Sequence, residues 1–319
     1  MGRKPQSRFV VYVALGGNLA IALTKFVAAW ISGSSAMLSE GVHSLVDTIN
    51  EVLLLYGMKR AAKPRDATHP FGYGRELYFW SFIVALLVFA LGAGVSVYEG
   101  VSHLLHPEPM SHPLVNYIVL LASMGFEGTS WLVALREFRK HKGENTYFQA
   151  FRRSKDPTTF TVLFEDSAAL LGLLIALAGV AASHLLAMPQ LDGIASIAIG
   201  CVLAVSSLLL ARETKGLLIG ESAHPRVRAD ILRIAAMDED VRSANGVLTV
   251  HMGPAEVVAA LSAEFRDPLD TTQIEACVNR IESAIKAKHP SISVLFVKPQ
   301  TREVWEQRTS GADGKTRSP

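Results

Sequence analysis

The chain has 319 residues, half of them hydrophobic and 19% charged, with a formal net charge of +2 and a mean hydropathy of +0.28. A soluble domain of this length carries more charge, so the composition points to an integral membrane protein. A net charge this small gives no reason to expect a nucleic-acid partner, and two cysteines in unlike surroundings, Cys201 and Cys277, exclude a disulfide framework. Both are expected to be buried small hydrophobes.

In chain order, a short basic flank, "MGRKPQSR", leads into an apolar run reaching Ser32. The run is long enough to span and has no small-residue cleavage site, so an uncleaved first helix is expected rather than a signal peptide. Five more stretches have spanning length, giving six in all: 9–32, 36–58, 77–101, 114–135, 160–186 and 191–211. In "SKDPTTF", Asp156 is placed to N-cap the fifth span and Pro157 to fill its first position. Lys and Arg cluster before the first span, between the second and third (Lys59, Arg60, Lys63, Arg65, Arg75), and between the fourth and fifth (Arg136 to Lys155). The other three connections carry none, so the positive-inside rule puts both termini in the cytoplasm.

Beyond Lys215 the pattern changes. A helix (226–237), two strands (246–252 and 257–266), a helix (271–289) and a strand (291–298) predict a small α+β sandwich with its helices on one face. Asp270 is the expected cap of the second helix. The domain division is therefore 1–215 for a membrane unit, 216–300 for a cytoplasmic α+β unit, and 301–319 for a disordered tail.

The second span carries the anomaly. "SEGVHSLVDTINE" puts Glu40, His43, Asp47, Asn50 and Glu51 into a membrane segment, where an ionised group costs a few kcal/mol. Spacings of three and four bring His43, Asp47, Asn50 and Glu51 to one helix face. An imidazole and a carboxylate one turn apart are natural ligands for a divalent ion, but one helix cannot close the shell. The fifth span offers Glu165 and Asp166 in "VLFEDSAALLG". At 1.5 Å per residue, Asp166 lies about 13 Å beyond Pro157, and His43 and Asp47 lie about 9 and 15 Å beyond Met37 from the opposite face. Both sets approach the middle of a core about 30 Å thick, so two antiparallel spans would share one ion. Glu127 is a further membrane carboxylate suited to a proton or ion path, and Asp192 is expected to cap a helix. Glycines such as Gly16, Gly17, Gly92 and Gly94 are expected to allow close helix packing.

Taken with "SGSSAMLSEGVHSLVD", "HPFGYGRE" and "DPTTFTVLFEDSAALLG", the chain resembles the cation diffusion facilitator family. The likeness is closest to the branch that includes the mitochondrial zinc exporter of animals and its bacterial relatives. It implies an all-α six-helix membrane domain followed by a cytoplasmic ferredoxin-like α+β domain. It also implies a homodimer in a bacterial inner membrane that moves Zn(II), or Mn(II), Co(II), Ni(II) or Fe(II), against protons. The transport site would use His43, Asp47 and Asp166. The sequence departs from the family where Val162 stands four residues before Asp166, a position usually His or Asp. Glu165, water, Asn50 or another span would then complete the shell, or Glu165 would carry a proton. The family's loop site keeps Asp66 and His69, but Tyr73 replaces its second His, so a tight metal site there is not expected. His224, His251 and His289 are scattered through the tail, which is expected to dimerise without a strong metal site.

No H-E-x-x-H pair, G-x-S-x-G elbow or P-loop is present, so no enzyme and no prosthetic group is expected. The alternative to a transporter is a membrane protein of regulatory or scaffold type that binds metal but has lost transport, which the incomplete shell at Val162 would explain.

Overall fold

A computed structural model of the chain describes residues 8–142 and 157–313. They divide into two compact units, one made of residues 8–60, 76–142 and 157–215 and the other of 61–75 and 216–313. The segment Ala61–Arg75 belongs to the second unit although it lies between helices of the first.

The first unit is helical: α1 (Arg8–Ser32), α2 (Ser35–Ala61), α3 (Arg75–Leu87), a π-helical turn (Val88–Ala93), α4 (Gly94–Leu105), α5 (Pro113–Lys142), α6 (Pro157–Leu186) and α7 (Gln190–Ile219). Proline opens α5 and α6 because its fixed φ suits a first helical position and its missing N–H would be unpaired there anyway. Asp156, the expected cap of α6, lies outside the described residues. Among the described residues, five stretches are long and apolar enough to cross a bilayer: Leu15–Ser32, Arg75–Leu105, Pro113–Arg136, Leu163–Leu186 and Gln190–Ile219. The protein is therefore a multi-pass membrane protein. The sixth expected span, α2, has the length, but Glu40, Asp47 and Glu51 with Lys59 and Arg60 make it more polar than the other five.

The core of this unit gathers Met37, Leu120, Leu173, Val180, Ile199 and Leu203 with several alanines. Small residues let α4 and α7 approach closely. A Cβ at Gly100 would sit 2.6 Å from Ile197, and one at Gly200 2.6 Å from Val97. Of the glycines expected in this role only Gly92 meets a tight neighbour, Leu203 at 3.3 Å; Gly16 faces open space. Helix–helix contact was legible in kind, but a glycine count does not say which glycine faces a helix.

The second unit contains α8 (Pro225–Ala236), β1 (Val241–Gly253), β2 (Glu256–Phe265), α9 (Thr271–Lys288), β3 (Ile292–Pro299) and α10 (Arg302–Asp313). The sheet order is β1-β2-β3, with β1 antiparallel and β3 parallel to β2. The parallel pair is joined through α9, as a parallel connection requires. Val257, Ala259 and Leu261 alternate into a core with Ile231, Ala235, Ile281 and Ile285 from the helices. Asp270 caps α9 as expected, in a reciprocal capping box with Gln273. β1 starts at Val241 rather than 246, because bulges let its polar first half pair with β2. Disorder was expected from residue 301. Instead residues 302–313 form α10, with the Trp305 ring lying against Gly246. Cys277 is buried as expected, whereas Cys201 is exposed beside an apolar groove between α6 and α7.

Candidate metal centre

Four helices of the first unit enclose a chamber of about 240 Å³. From α2 the wall takes Ser44, Asp47, Glu51, Leu54, Leu55 and Met58, whose spacing of three and four puts them on one face. α1 adds Asn18 and Ile21, α5 adds Phe126, Glu127 and Ser130, and α6 adds Glu165 and Asp166. Five carboxylates thus face one space. In a low-dielectric surrounding such an array calls for cations, whether metal ions or protons.

The expected ligands divide around this chamber. Asp47, Glu165 and Asp166 line it together. His43 places Nδ1 3.4 Å from Asp47 Oδ1, but its ring borders a separate void of about 10 Å³ shared with Glu165, Val88 and Ala168. Glu165 therefore stands between His43 and the chamber, and its Oε1 accepts a hydrogen bond from Asn50 at 3.1 Å. This answers how adjacent residues on α6 serve one region although their side chains diverge by about 100°. Asp166 faces the open space, where Ser130 donates to it at 3.3 Å, and Glu165 reaches the α2 side. The side chain of Val162 lies outside the described residues.

Both ring nitrogens of His43, Oδ1 of Asp47 and Oδ1 of Asn50 are buried without a hydrogen-bond partner. An unpaired buried polar atom costs about 1–3 kcal/mol, so the gathering of these four atoms, two of them facing each other at 3.4 Å, makes this level the candidate site. The ligand atoms are near one another but not converged. Among the described residues, the one trio of His, Cys, Asp or Glu ligand atoms all within 4.8 Å of one another is Asp238, Asp240 and Cys277, in the second unit.

That trio serves a different purpose. Arg280 binds Asp238 and Asp240 at 2.8 and 2.7 Å and holds the Asp238 carboxyl below its usual range. Burial, then the hydrogen bond to Asp238, pushes the Cys277 thiol up to about 12. The closeness of the three groups is thus accounted for by the guanidinium that clamps both carboxylates and by the thiol's own hydrogen bond to Asp238.

The loop residues are likewise committed. The Tyr73 hydroxyl donates to Asp66 Oδ2 at 2.5 Å, while Asp66 Oδ1 accepts from the amides of Thr68 and His69 and the Thr68 hydroxyl. The Tyr73 bond, with those of Thr68 and His69, holds the Asp66 carboxyl well below the usual range. The residue that replaces the second His closes the loop rather than leaving a vacant ligand position. In the tail, His224 caps α8 by accepting from the Arg226 amide, and His289 contacts Asp230 at 3.1 Å.

At the chamber, Asn18, Ser44 and Ser130 were not anticipated, and neither was Lys25, which lies outside its lining. Glu51 accepts from Asn18 at 3.1 Å, and Ser44 and Ser130 are part of the wall. Lys25, a fully buried cation in α1, binds Glu40. Its signal was available, because a lysine inside an apolar span is as anomalous as a carboxylate. Asp192 does cap a helix, but the helix is α2: it accepts from the amides of Ser35 and Ala36 and the hydroxyls of Ser34 and Ser35.

With this geometry in place, comparison with known proteins is informative. Residues 11–219 match the family described as the cation efflux transmembrane domain. The chain is 34% identical over 288 residues to the proton-coupled zinc antiporter SLC30A9, mitochondrial, of Xenopus laevis, an alignment covering 88% of this chain and 51% of the relative. It is 32% identical over 266 residues to metal tolerance protein C4 of Arabidopsis thaliana, covering 83% and 57%. It is 27% identical over 293 residues to the cation-efflux pump FieF of Cronobacter sakazakii, covering 91% and 92%. The chain thus spans about half the length of the first two relatives and nearly all of the third.

Proposed function

This chain belongs to the cation efflux family, whose members are transporters and not enzymes, and from that premise we propose that it exports a divalent metal ion from the cytoplasm in exchange for protons. Zn(II) is the first candidate for the ion, because one of its relatives bears the name of a zinc antiporter and because imidazole with carboxylates suits that metal. Mn(II), Co(II), Ni(II) and Fe(II) accept the same donors. In this reading α2 is the sixth span, the termini and the ferredoxin-like second unit are cytoplasmic, and the membrane is the inner membrane of a bacterium. A second copy would cover Leu248 and Phe296, which are exposed at matching positions across the sheet, and make a homodimer.

The observation that carries the reading is the chamber itself, with Asp47 of α2 and Glu165 and Asp166 of α6 on one wall and His43 one turn from Asp47. A divalent ion entering there would draw the unpaired oxygens and the imidazole inward, with Asp47, Asp166 and His43 as ligands and Glu165 or Asn50 completing the shell. A ligand must lose its proton to take metal, so protons returning to these groups would release the ion.

Purified protein in proteoliposomes, offered each metal with and without a pH gradient, tests this. Zinc flux that rises with an opposing proton gradient is the expected result; flux indifferent to the gradient removes the antiport. The unconverged ligand atoms favour a second reading, a metal-binding regulatory or scaffold protein. Stoichiometric zinc binding with no flux in the same vesicles would establish it.

A further inference from the structure

One charged layer in the helical unit takes no part in holding the ion. Lys25 of α1 and Glu40 of α2 are both fully buried. The lysine Nζ donates to Glu40 Oε2 at 3.0 Å and to Ser44 Oγ at 2.7 Å. The other carboxylate oxygen, Oε1, has no hydrogen-bond partner and lies where Gly172 of α6 makes room. A Cβ there would come within 2.6 Å of it. Ser44 is also the chamber residue closest to the start of α2, and no earlier residue of α2 lines the space. The chamber therefore ends where Lys25 grips its wall. On the far side of this layer α2 is stitched to α7, by Ser39 and Ser196 at 2.6 Å and by the Asp192 cap.

We propose that the Lys25–Glu40 pair is the plug of the chamber on the side where α2 begins, and that an ion leaves on that side only when the pair parts. The inference rests on the transport reading. Lys25 is a tethered cation occupying the carboxylate that a departing divalent ion would meet next. As a pair the two charges largely cancel, so the layer stays dry and closed. Either charge alone would be uncompensated in a buried layer and would draw in water. Lys25 and Glu40 are thus positioning residues that govern access, while affinity for the ion resides with the groups around Asp47 and Asp166.

The test asks from which side Ser44 can be reached. Ser44→Cys is introduced into full-length protein in which Cys201→Ser and Cys277→Ala remove the native thiols. It is reconstituted in one orientation and treated with a membrane-impermeant maleimide added to either side. With the pair intact, labelling is expected only from the side where α2 ends. Glu40→Gln or Lys25→Met should raise labelling from the side where α2 begins by at least about tenfold, as loss of one buried charge partner implies. Zinc binding in detergent should stay within about threefold, because no ligand is removed. Combining Lys25→Met with Glu40→Gln should restore one-sided labelling, a non-additivity that a purely structural role would not give. If Lys25→Met does not fold, Glu40→Gln, which keeps the side chain's size, decides alone. One-sided labelling in every variant, or single effects that simply add, would overturn the plug. Zinc flux by the unaltered protein is read separately: no flux with a sidedness change would defeat the transport reading and leave the plug standing.

Discussion

Asp47 and Asp166 approach one chamber from different helices; Oδ1 of Asp47 has no hydrogen-bond partner, and Oδ2 of Asp166 accepts a long bond from Ser130. Removing a group that only orients a ligand typically costs 10–100-fold in metal affinity, so Asp47→Ala and Asp166→Ala should each weaken zinc binding by at least about that factor. Titration calorimetry checks the binding, and flux in proteoliposomes should fall in parallel. Full transport by Asp47→Ala would remove the assignment. Asp66→Asn is expected to behave differently, since both of its oxygens are spent on Tyr73, Thr68 and His69. Zinc affinity should be unchanged within experimental error in the same titration. His43 and Asp47 were legible in the sequence because their meeting is set by the pitch of a single helix. The sharing of Glu165 between two voids was not, because it depends on how α2, α5 and α6 are rotated about their axes. Lys25 has the same standing as the acids, since a lysine inside a span demands a partner just as they do.

At the scale of elements, the termini of helices carry much of the specificity. The Asp270–Gln273 box satisfies two free N–H groups at the start of α9, and Asp270→Ala should cost the second unit about 1 kcal/mol. Urea unfolding followed at Trp305 measures it, in full-length protein with Trp30, Trp80 and Trp131 replaced by Phe. The same reporter tests a link between α8 and the end of α9. Hydrogen bonds from Lys288 and Arg233 hold the Asp230 carboxyl down at about 2, below its ordinary value of 3.8. A carboxyl depressed by folding contributes stability above its unfolded value and loses it as pH falls through its folded one. The unit should therefore weaken between about pH 4 and pH 2, and Asp230→Asn should flatten that decline. α10 was hidden because glycine and polar residues leave no apolar period; the fit of Trp305 on Gly246 and the bond from the Arg302 amide to Glu264 tie it to residues far away in sequence. The π-helical turn at Val88–Ala93 was equally invisible, since one surplus residue per turn changes no composition. Yet Val88 borders the void at His43, where a change of helix register re-aims the wall.

For the molecule as a whole, the proposed exchange requires metal and protons to compete for the same groups. Zinc affinity should strengthen from pH 6 to pH 8, and the slope of log affinity against pH gives the number of protons displaced per ion. A zero slope would separate the ion from any proton traffic. Membrane class, helix order and the α+β character of the tail were readable in sequence because hydropathy and periodicity report them directly. The grouping of Ala61–Arg75 with residues beyond 216 was not readable, because it rests on tertiary contacts of a short polar loop.

That grouping bears on how the protein can be dissected. The polypeptide passes between its two halves three times, after Arg60, after Arg75 and after Lys215. Phe71 loses its edge-on ring contact with Phe296, Gly74 its close approach to the Met252 backbone, and Arg65 its ion pair with Glu256 if everything beyond Lys215 is cut away. A stop codon at that point would not free an intact carrier from an accessory module. It would strip the hairpin joining the second and third helices of the surface it rests on, so a dead truncation mutant would say nothing about whether the missing piece takes part in export.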